Sequence, residues 1–529
     1  MELKEIKSFI QEKEKQISVL YKNLNSSYWT ASISGKKEDY DKYAENELAL
    51  KRFFNNKEDY EKIKSMKEEN IDNKITARQL KLLYYAYLSY QGDYKLMEEI
   101  TKKVTATEQK FNTFRAKIGS KEYTENEIKE IMKKDKSNKK AKEAWEAIKV
   151  QGAIVEKDVL EIVRLRNKLA KSLGFRDYYE FSLEVGEQKE KEIESIMDEL
   201  DKLTEIPFKN LKGEMDLVLS KKYRIKKEEL GPWNYGDPFF QEGPEIYEIS
   251  LDSYYKEDIV EKARKYYKSI GLDAEGILSR SDLYEKPGKN QHAYCMDIDR
   301  EGDVRTLQNL KNTERWMEIL LHELGHAIYS SNHNSSLPFI LRDSAHTFTT
   351  EAIAMLFGRK ARNVEFIKNY CQISEQEAEK INKTVKKILR LRMLVFSRWV
   401  QVMFRFEQQL YKNPEQDLKK LWWDLVKKYQ LVNFSRDAPD WASKYHTVSA
   451  PVYYHNYLLG ELLASQIHNY ITKNITKDLD SDYTGKKEVG EYLIKNIFSV
   501  GARYRWDEMI KRALKEELNP KYFVEEFTK

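Results

Sequence analysis

Only ten prolines and twenty glycines interrupt this chain of 529 residues. With breakers this sparse, the backbone has few places to turn, and long helices joined by short connections are expected. The reading is an all-α fold. Helix follows helix from Lys4 to about Lys110, a charged helical zone runs to about Lys142, and an amphipathic stretch from Ala144 to Lys171 ends at Gly174. The most apolar stretch, Ile388 to Phe406, carries Arg390, Arg392, Arg398 and Arg405, which makes it a buried core helix and not a membrane span. Gly231 to Pro238 is the clearest irregular segment and could mark a passage between lobes. One minor β-hairpin is expected, from His292–Ile298 and Val304–Leu307 around a turn at Gly302.

That hairpin leads into His322-Glu323-Leu324-Gly325-His326. Two imidazoles four residues apart on a helix project from one face and can share one metal ion, for which zinc is the natural candidate. Trp316, Ile319, Leu320 and Ile328 give the stretch from Glu314 a helical apolar face, with Asn312 or Thr313 as N-cap. All eight histidines lie between His292 and His468, so histidine is used locally. Catalytic zinc usually takes three protein ligands. Glu351, at the start of a second buried helix, is the expected third. Zinc held by His322, His326 and Glu351 would activate water for attack on a carbonyl, with Glu323 as the base that later returns the proton to the leaving amine. One zinc per chain and metal-assisted peptide hydrolysis are the expectations.

Lys+Arg and Asp+Glu number 92 and 87, a net +5, which gives no nucleic-acid signature. The basic run Lys133–Lys140 has no interleaved aromatics and reads as a solvated helix connection. Two cysteines, Cys295 and Cys371, cannot build a disulfide framework, and a reducing compartment fits them. The charged start Met1-Glu2-Leu3-Lys4-Glu5 has no apolar segment behind it, so no secretion signal and a cytoplasmic location are expected. The free edge of the hairpin could hold an extended peptide over the metal, or simply close the core. Further on, Lys444-Tyr445-His446 and Tyr453-Tyr454-His455-Asn456-Tyr457 gather more polar groups than a routine core segment carries.

Taken together, these motifs resemble the angiotensin-converting-enzyme family of zinc dipeptidyl carboxypeptidases. His322, Glu323, His326 and Glu351 fit its metal site and base. Leu337-Pro338 and Glu351-Ala352-Ile353 fit the frame, His292-Ala293 resembles the substrate-binding strand, and Lys444-Tyr445-His446 and Tyr454 to Tyr457 resemble two later motifs. Weaker echoes lie at Ser27-Tyr28-Trp29 and Gly174–Asp177. The resemblance implies a two-lobed helical ellipsoid with a deep internal cleft. It also implies one catalytic domain over 1–529, in which 1–110 form a lid-like region and 111–529 form the cleft. By the same resemblance, His292 and His446 hold substrate carbonyls, Ala293 lies along the substrate, Lys444 and Tyr454 bind the terminal carboxylate, and Tyr457 stabilises the oxyanion. Short peptides would be the partners, with neither nucleic acid nor membrane.

The chain also departs from the family. Met355 stands where the family has an aspartate that orients a zinc histidine, so the surroundings of the site are built differently. Val426 and Asn456 replace two arginines that hold chloride in relatives, so activity independent of chloride is expected. An extra residue before Tyr457 leaves Tyr453 and Tyr454 as alternatives for the carboxylate. A thimet-like oligoendopeptidase would share the metal chemistry. A non-catalytic, zinc-bearing peptide-binding scaffold would not need Glu323.

Overall fold

Helices begin where the sequence supplies a side chain to satisfy the first free backbone amides. Asn56, Asn73, Asp93, Ser137, Asp177 and Thr313 each accept a hydrogen bond from the amide three residues on, and Thr124 and Glu127 form a reciprocal capping box. The computed structural model describes residues 2–69, 71–247 and 249–528. It is all-α: among these residues there are twenty-one α-helices and two small antiparallel hairpins. No described helix is long and apolar enough to cross a membrane.

The first hairpin was not legible. Strands β1 (Ala116–Ile118) and β2 (Lys121–Tyr123) interrupt the zone expected to be wholly helical, with Ala116 opposite Tyr123 and Ile118 opposite Lys121. The turn requires Gly119, whose φ is +61°. The expected hairpin is present as β3 (Tyr294–Asp297) and β4 (Val304–Leu307), with Tyr294 opposite Leu307 and Asp297 opposite Val304. Within the described sheet, β3 pairs on one edge only. The basic run breaks at 135–137, between the helices Glu125–Lys134 and Asn138–Ser172.

The chain divides into two compact units. The first comprises 1–91, 250–385 and 459–522. Ile10, Phe54, Ile63, Leu83 and Tyr87 form one cluster of its core, and Trp29, Ile298 and Leu307 pack behind the β3–β4 hairpin. The second comprises 92–249, 386–458 and 523–529. Its interior is aromatic: Trp145, Trp399, Trp441, Tyr235 and Tyr411 are fully buried, and the rings of Trp145, Trp233 and Phe434 touch one another. Side chains of this size each contribute about 1.5–3 kcal/mol on burial. The irregular Gly231–Pro238 segment lies inside this second unit. Cys295 and Cys371 are both free thiols.

Candidate active site

Thr313 caps the helix Glu314–Ser331 through its hydroxyl, which accepts from the Trp316 amide. Met317, Leu320, Leu321, Leu324, Ala327 and Ile328 bury the opposite face completely, so His322 and His326 are presented together, with ring centroids 4.9 Å apart. Across them runs the helix Thr347–Gly358. The crossing depends on Gly325, where a Cβ would stand 2.8 Å from the Cα of Ala354. That close approach brings Glu351 to the imidazoles: Glu351 Oε2 lies 3.6 Å from His322 Nε2 and 3.8 Å from His326 Nε2.

These three are the described group able to hold a metal ion, with ligand atoms all within 4.8 Å of one another. Two imidazole nitrogens and one carboxylate oxygen form a donor set suited to zinc. The electrostatics agree. Burial lowers His322 to about 4 and, helped by His322, carries His326 well below the ordinary histidine value, so both rings are neutral and free to ligate. Burial, with Glu461 nearby, raises Glu351 to about 7. Burial, with Glu351 as a like charge, raises Glu323 to about 8, although the Cys295 backbone amide on β3 opposes this by donating to its carboxyl. Two desolvated carboxyl groups beside neutral imidazoles are what a dication would reverse.

Sequence reasoning left open what replaces the family aspartate. Met355 places its sulfur against Gly460, where a Cβ would come within 3.2 Å of it. Thr350 is the polar neighbour that was missed: its hydroxyl is 2.8 Å from His326 Nδ1. With Nε2 given to a metal ion, Nδ1 would carry the proton and donate to this hydroxyl, which would fix the ring. The residue lies one position before Glu351, in the first turn of the same helix, and that position was its only signal.

The second unit gathers a different set. Lys444 is 6% exposed, and its ammonium donates to Gln241 Oε1 at 2.6 Å. The rings of Phe239, Trp399 and Tyr454 lie 5.2, 5.1 and 5.2 Å from the same ammonium. The Tyr454 hydroxyl donates to the same Gln241 oxygen at 3.3 Å. The ring of Tyr453, the alternative, packs on Tyr457 at 5.1 Å. Burial pulls Lys444 down to about 8, opposed by Asp237, and pushes the Tyr454 phenol up. His446 is lowered to about 4 by burial and by Lys444, its ring is 5.0 Å from Tyr454, and its Nδ1 is buried without a hydrogen-bond partner. Tyr457 stacks edge-on against Tyr454 at 5.6 Å.

Phe239 and Gln241 were also missed. They come from the irregular segment after Gly236, held by Asp237, whose carboxylate accepts from the amides of Phe239 and Gln241 at 2.9 and 3.2 Å. Nothing in a lone Phe-Phe-Gln string announces this. His292 is exposed, its amide donating to Asn290 Oδ1, and Ala293 immediately precedes β3. The structure thus joins His322, Glu323, His326 and Glu351 in one unit, and Lys444, His446, Tyr454 and Tyr457 in the other.

The family model for peptidase M2, described as angiotensin-converting enzyme, matches residues 1–229 and 245–528. The chain belongs to the angiotensin-converting enzyme family. It is accordingly a zinc metallopeptidase with peptide substrates. The stretch between the two matched segments, 230–244, is the one that carries Asp237, Phe239 and Gln241. No curated protein sequence matches the chain.

Proposed function

We propose that this peptidase removes dipeptides from the free C-terminus of short peptides, with His322, His326 and Glu351 holding one zinc ion. The observation that carries the exopeptidase reading is the pairing of a buried ammonium, Lys444, with the Tyr454 hydroxyl on one acceptor, Gln241 Oε1. A substrate carboxylate offers the same kind of acceptor with a full charge. It would take the lysine and tyrosine donors and gain the Gln241 amide N–H as a third.

When bound, zinc supplies Lewis-acid activation of water and of the scissile carbonyl. Glu323 takes the proton from water on its carboxylate and passes it to the leaving nitrogen; its raised affinity for protons suits the second half of that task. Tyr457 donates its phenolic hydrogen to the developing oxyanion. His446 and His292 donate to substrate carbonyls, for which the unpartnered His446 Nδ1 is suited. Ala293, just before the unpaired edge of β3, lies alongside the extended peptide. Two free thiols fit a reducing compartment, so the cytoplasm is the proposed location.

Digestion of an unbiased mixture of short peptides, read by mass spectrometry, tests this. The expected products are dipeptides released stepwise from the C-terminus. Internal cleavage without regard to the terminus would make the protein an oligoendopeptidase, and zinc binding without turnover would make it a scaffold.

A further inference from the structure

The connection between His446 and Tyr454 contains a backbone conformation that its sequence resists. Val452 has φ +55°, a region in which a β-branched residue is an outlier. Of the ten described non-glycine residues with positive φ, Val452 is the only β-branched one. Arg224, Gln372, Leu431, Lys477 and Lys515 sit at helix C-caps, where the left-handed turn ends the helix. Val452 has no such role.

Two buried charged side chains grip this connection, and the proposed chemistry uses neither. The Val452 amide donates to Glu407 Oε1 at 2.9 Å. Arg166 donates to the carbonyl oxygens of Thr447 and Val448 at 3.0 and 2.7 Å, and to the Tyr411 hydroxyl at 3.2 Å. Glu407 is 3% and Arg166 6% exposed. Apolar residues of similar volume would fill the same core without the desolvation penalty, so filling alone does not account for them. Their hydrogen bonds to backbone all go to the one segment that joins the two halves of the proposed carboxylate site. The other arm of that site is built alike: Phe240, between Phe239 and Gln241, has φ +52°, and Gln430 Nε2 donates to the backbone carbonyls of Phe239 and Phe240. Strained backbone persists where the surroundings over-determine it, and it clusters at binding sites.

The geometry points to Glu407 and Arg166 as positioning residues that hold the 447–452 connection in place and so set the Tyr454 hydroxyl against Lys444 and Gln241. This rests on the reading that Lys444, Tyr454 and Gln241 take the substrate carboxylate. Burial keeps the Glu407 carboxyl raised to about 7 although Arg166 opposes this. Its function is therefore to accept a hydrogen bond, and a glutamine can do the same.

The test measures kcat and KM on matched free-acid and amidated peptides, with Tm, for Glu407→Ala, Glu407→Gln, Glu407→Asp and Lys444→Ala. For Glu407→Ala, KM on the free acid is expected to rise about ten-fold with kcat held within about two-fold, and kinetics on the amide should not change. Glu407→Gln should restore native values. Glu407→Asp, which withdraws the acceptor by one methylene, should give a smaller rise in KM and serves if the alanine variant does not fold. Adding Val452→Gly to Glu407→Ala should recover Tm, because glycine adopts the left-handed conformation freely, while KM stays high. Glu407→Ala or Glu407→Asp with unchanged KM, or with equal losses on both peptides that track Tm, overturns the positioning role. Lys444→Ala with an intact preference for the free acid instead overturns the carboxylate reading beneath it, so the two failures are distinguishable.

Discussion

The proposed metal-binding residues stand on two regular helices, whereas among the proposed carboxylate-binding residues Tyr454 only opens a helix and Gln241 and Lys444 lie on irregular backbone, with left-handed non-glycine residues at Phe240 and Val452. A turn of helix fixes the His322–His326 spacing by itself, and a glycine at 325 lets the second helix close in. No regular element spaces Gln241, Lys444 and Tyr454. Their arrangement has to be held by backbone hydrogen bonds that the Asp237 and Glu407 carboxyl groups accept and the Gln430 side chain donates. Groups that must meet a metal within narrow distances are placed by geometry the backbone supplies at no extra cost. The proposed carboxylate-binding groups depend on a network of buried polar side chains, in which the loss of one member weakens the others.

The sharpest way to break this contrast is to remove a metal ligand. His322→Ala and Glu351→Ala are expected to lose zinc after dialysis, by elemental analysis, and with it all turnover. Glu323→Gln keeps both imidazoles and Glu351, so it should retain zinc while turnover drops by about 10²–10⁴-fold. Zinc retained in both ligand variants would mean that the trio is misassigned.

Next in size is the carboxylate site. Free-acid peptides should be cleaved faster than their C-terminal amides, because a charge-assisted hydrogen bond contributes about 1.5–3 kcal/mol, or roughly 10–150-fold. Lys444→Ala should erase the difference, and Gln241→Ala should reduce it. Equal cleavage of both forms in the unmodified enzyme would leave the second site without its proposed function.

A smaller effect separates the two sites by pH. Glu323 and Glu351 are raised to about 8 and about 7 from an ordinary 4.5, so over that window the folded metal-free protein holds more protons than the unfolded chain. Its stability therefore falls as pH rises through 7 and 8. His322 and His326, lowered from 6.5, act in the opposite sense, but only below 6.5. A dication cancels the carboxylate repulsion, so the rise in Tm on adding zinc should grow between pH 6.5 and 8. A zinc-induced shift that is flat or shrinking over that range would contradict it.

The smallest effect concerns chloride. Val426 is buried, and Asn456 Oδ1 already accepts from Gln188 Nε2 at 2.7 Å, so neither replaces the arginine charge that a buried anion needs. Activity should change little between chloride-free buffer and about 0.2 M chloride beyond ordinary screening. Saturable activation that acetate does not reproduce would show that other cations compensate.

Sequence alone determined what depends on local spacing: the all-α class from its few breakers, a helix start at Asn312 or Thr313, the β3–β4 hairpin, and His322, Glu323 and His326 on one helical face. Glu351 needed only a second helix to be recognised. Lys444 and Tyr454 were visible through family resemblance, because a lysine or tyrosine carries no mark of burial in its own neighbourhood. Only the tertiary structure decided that Gln241 joins them, that the Tyr454 ring lies against the lysine, that Thr350 meets His326, and that Glu407 and Arg166 hydrogen-bond to the backbone between His446 and Tyr454. The physical reason is sequence separation. Arg166 and Val448 are 282 residues apart, and Lys444 and Gln241 are 203 apart. Contacts at such range leave no periodicity in the chain; they exist only once helices pack and bury polar groups that must then find partners.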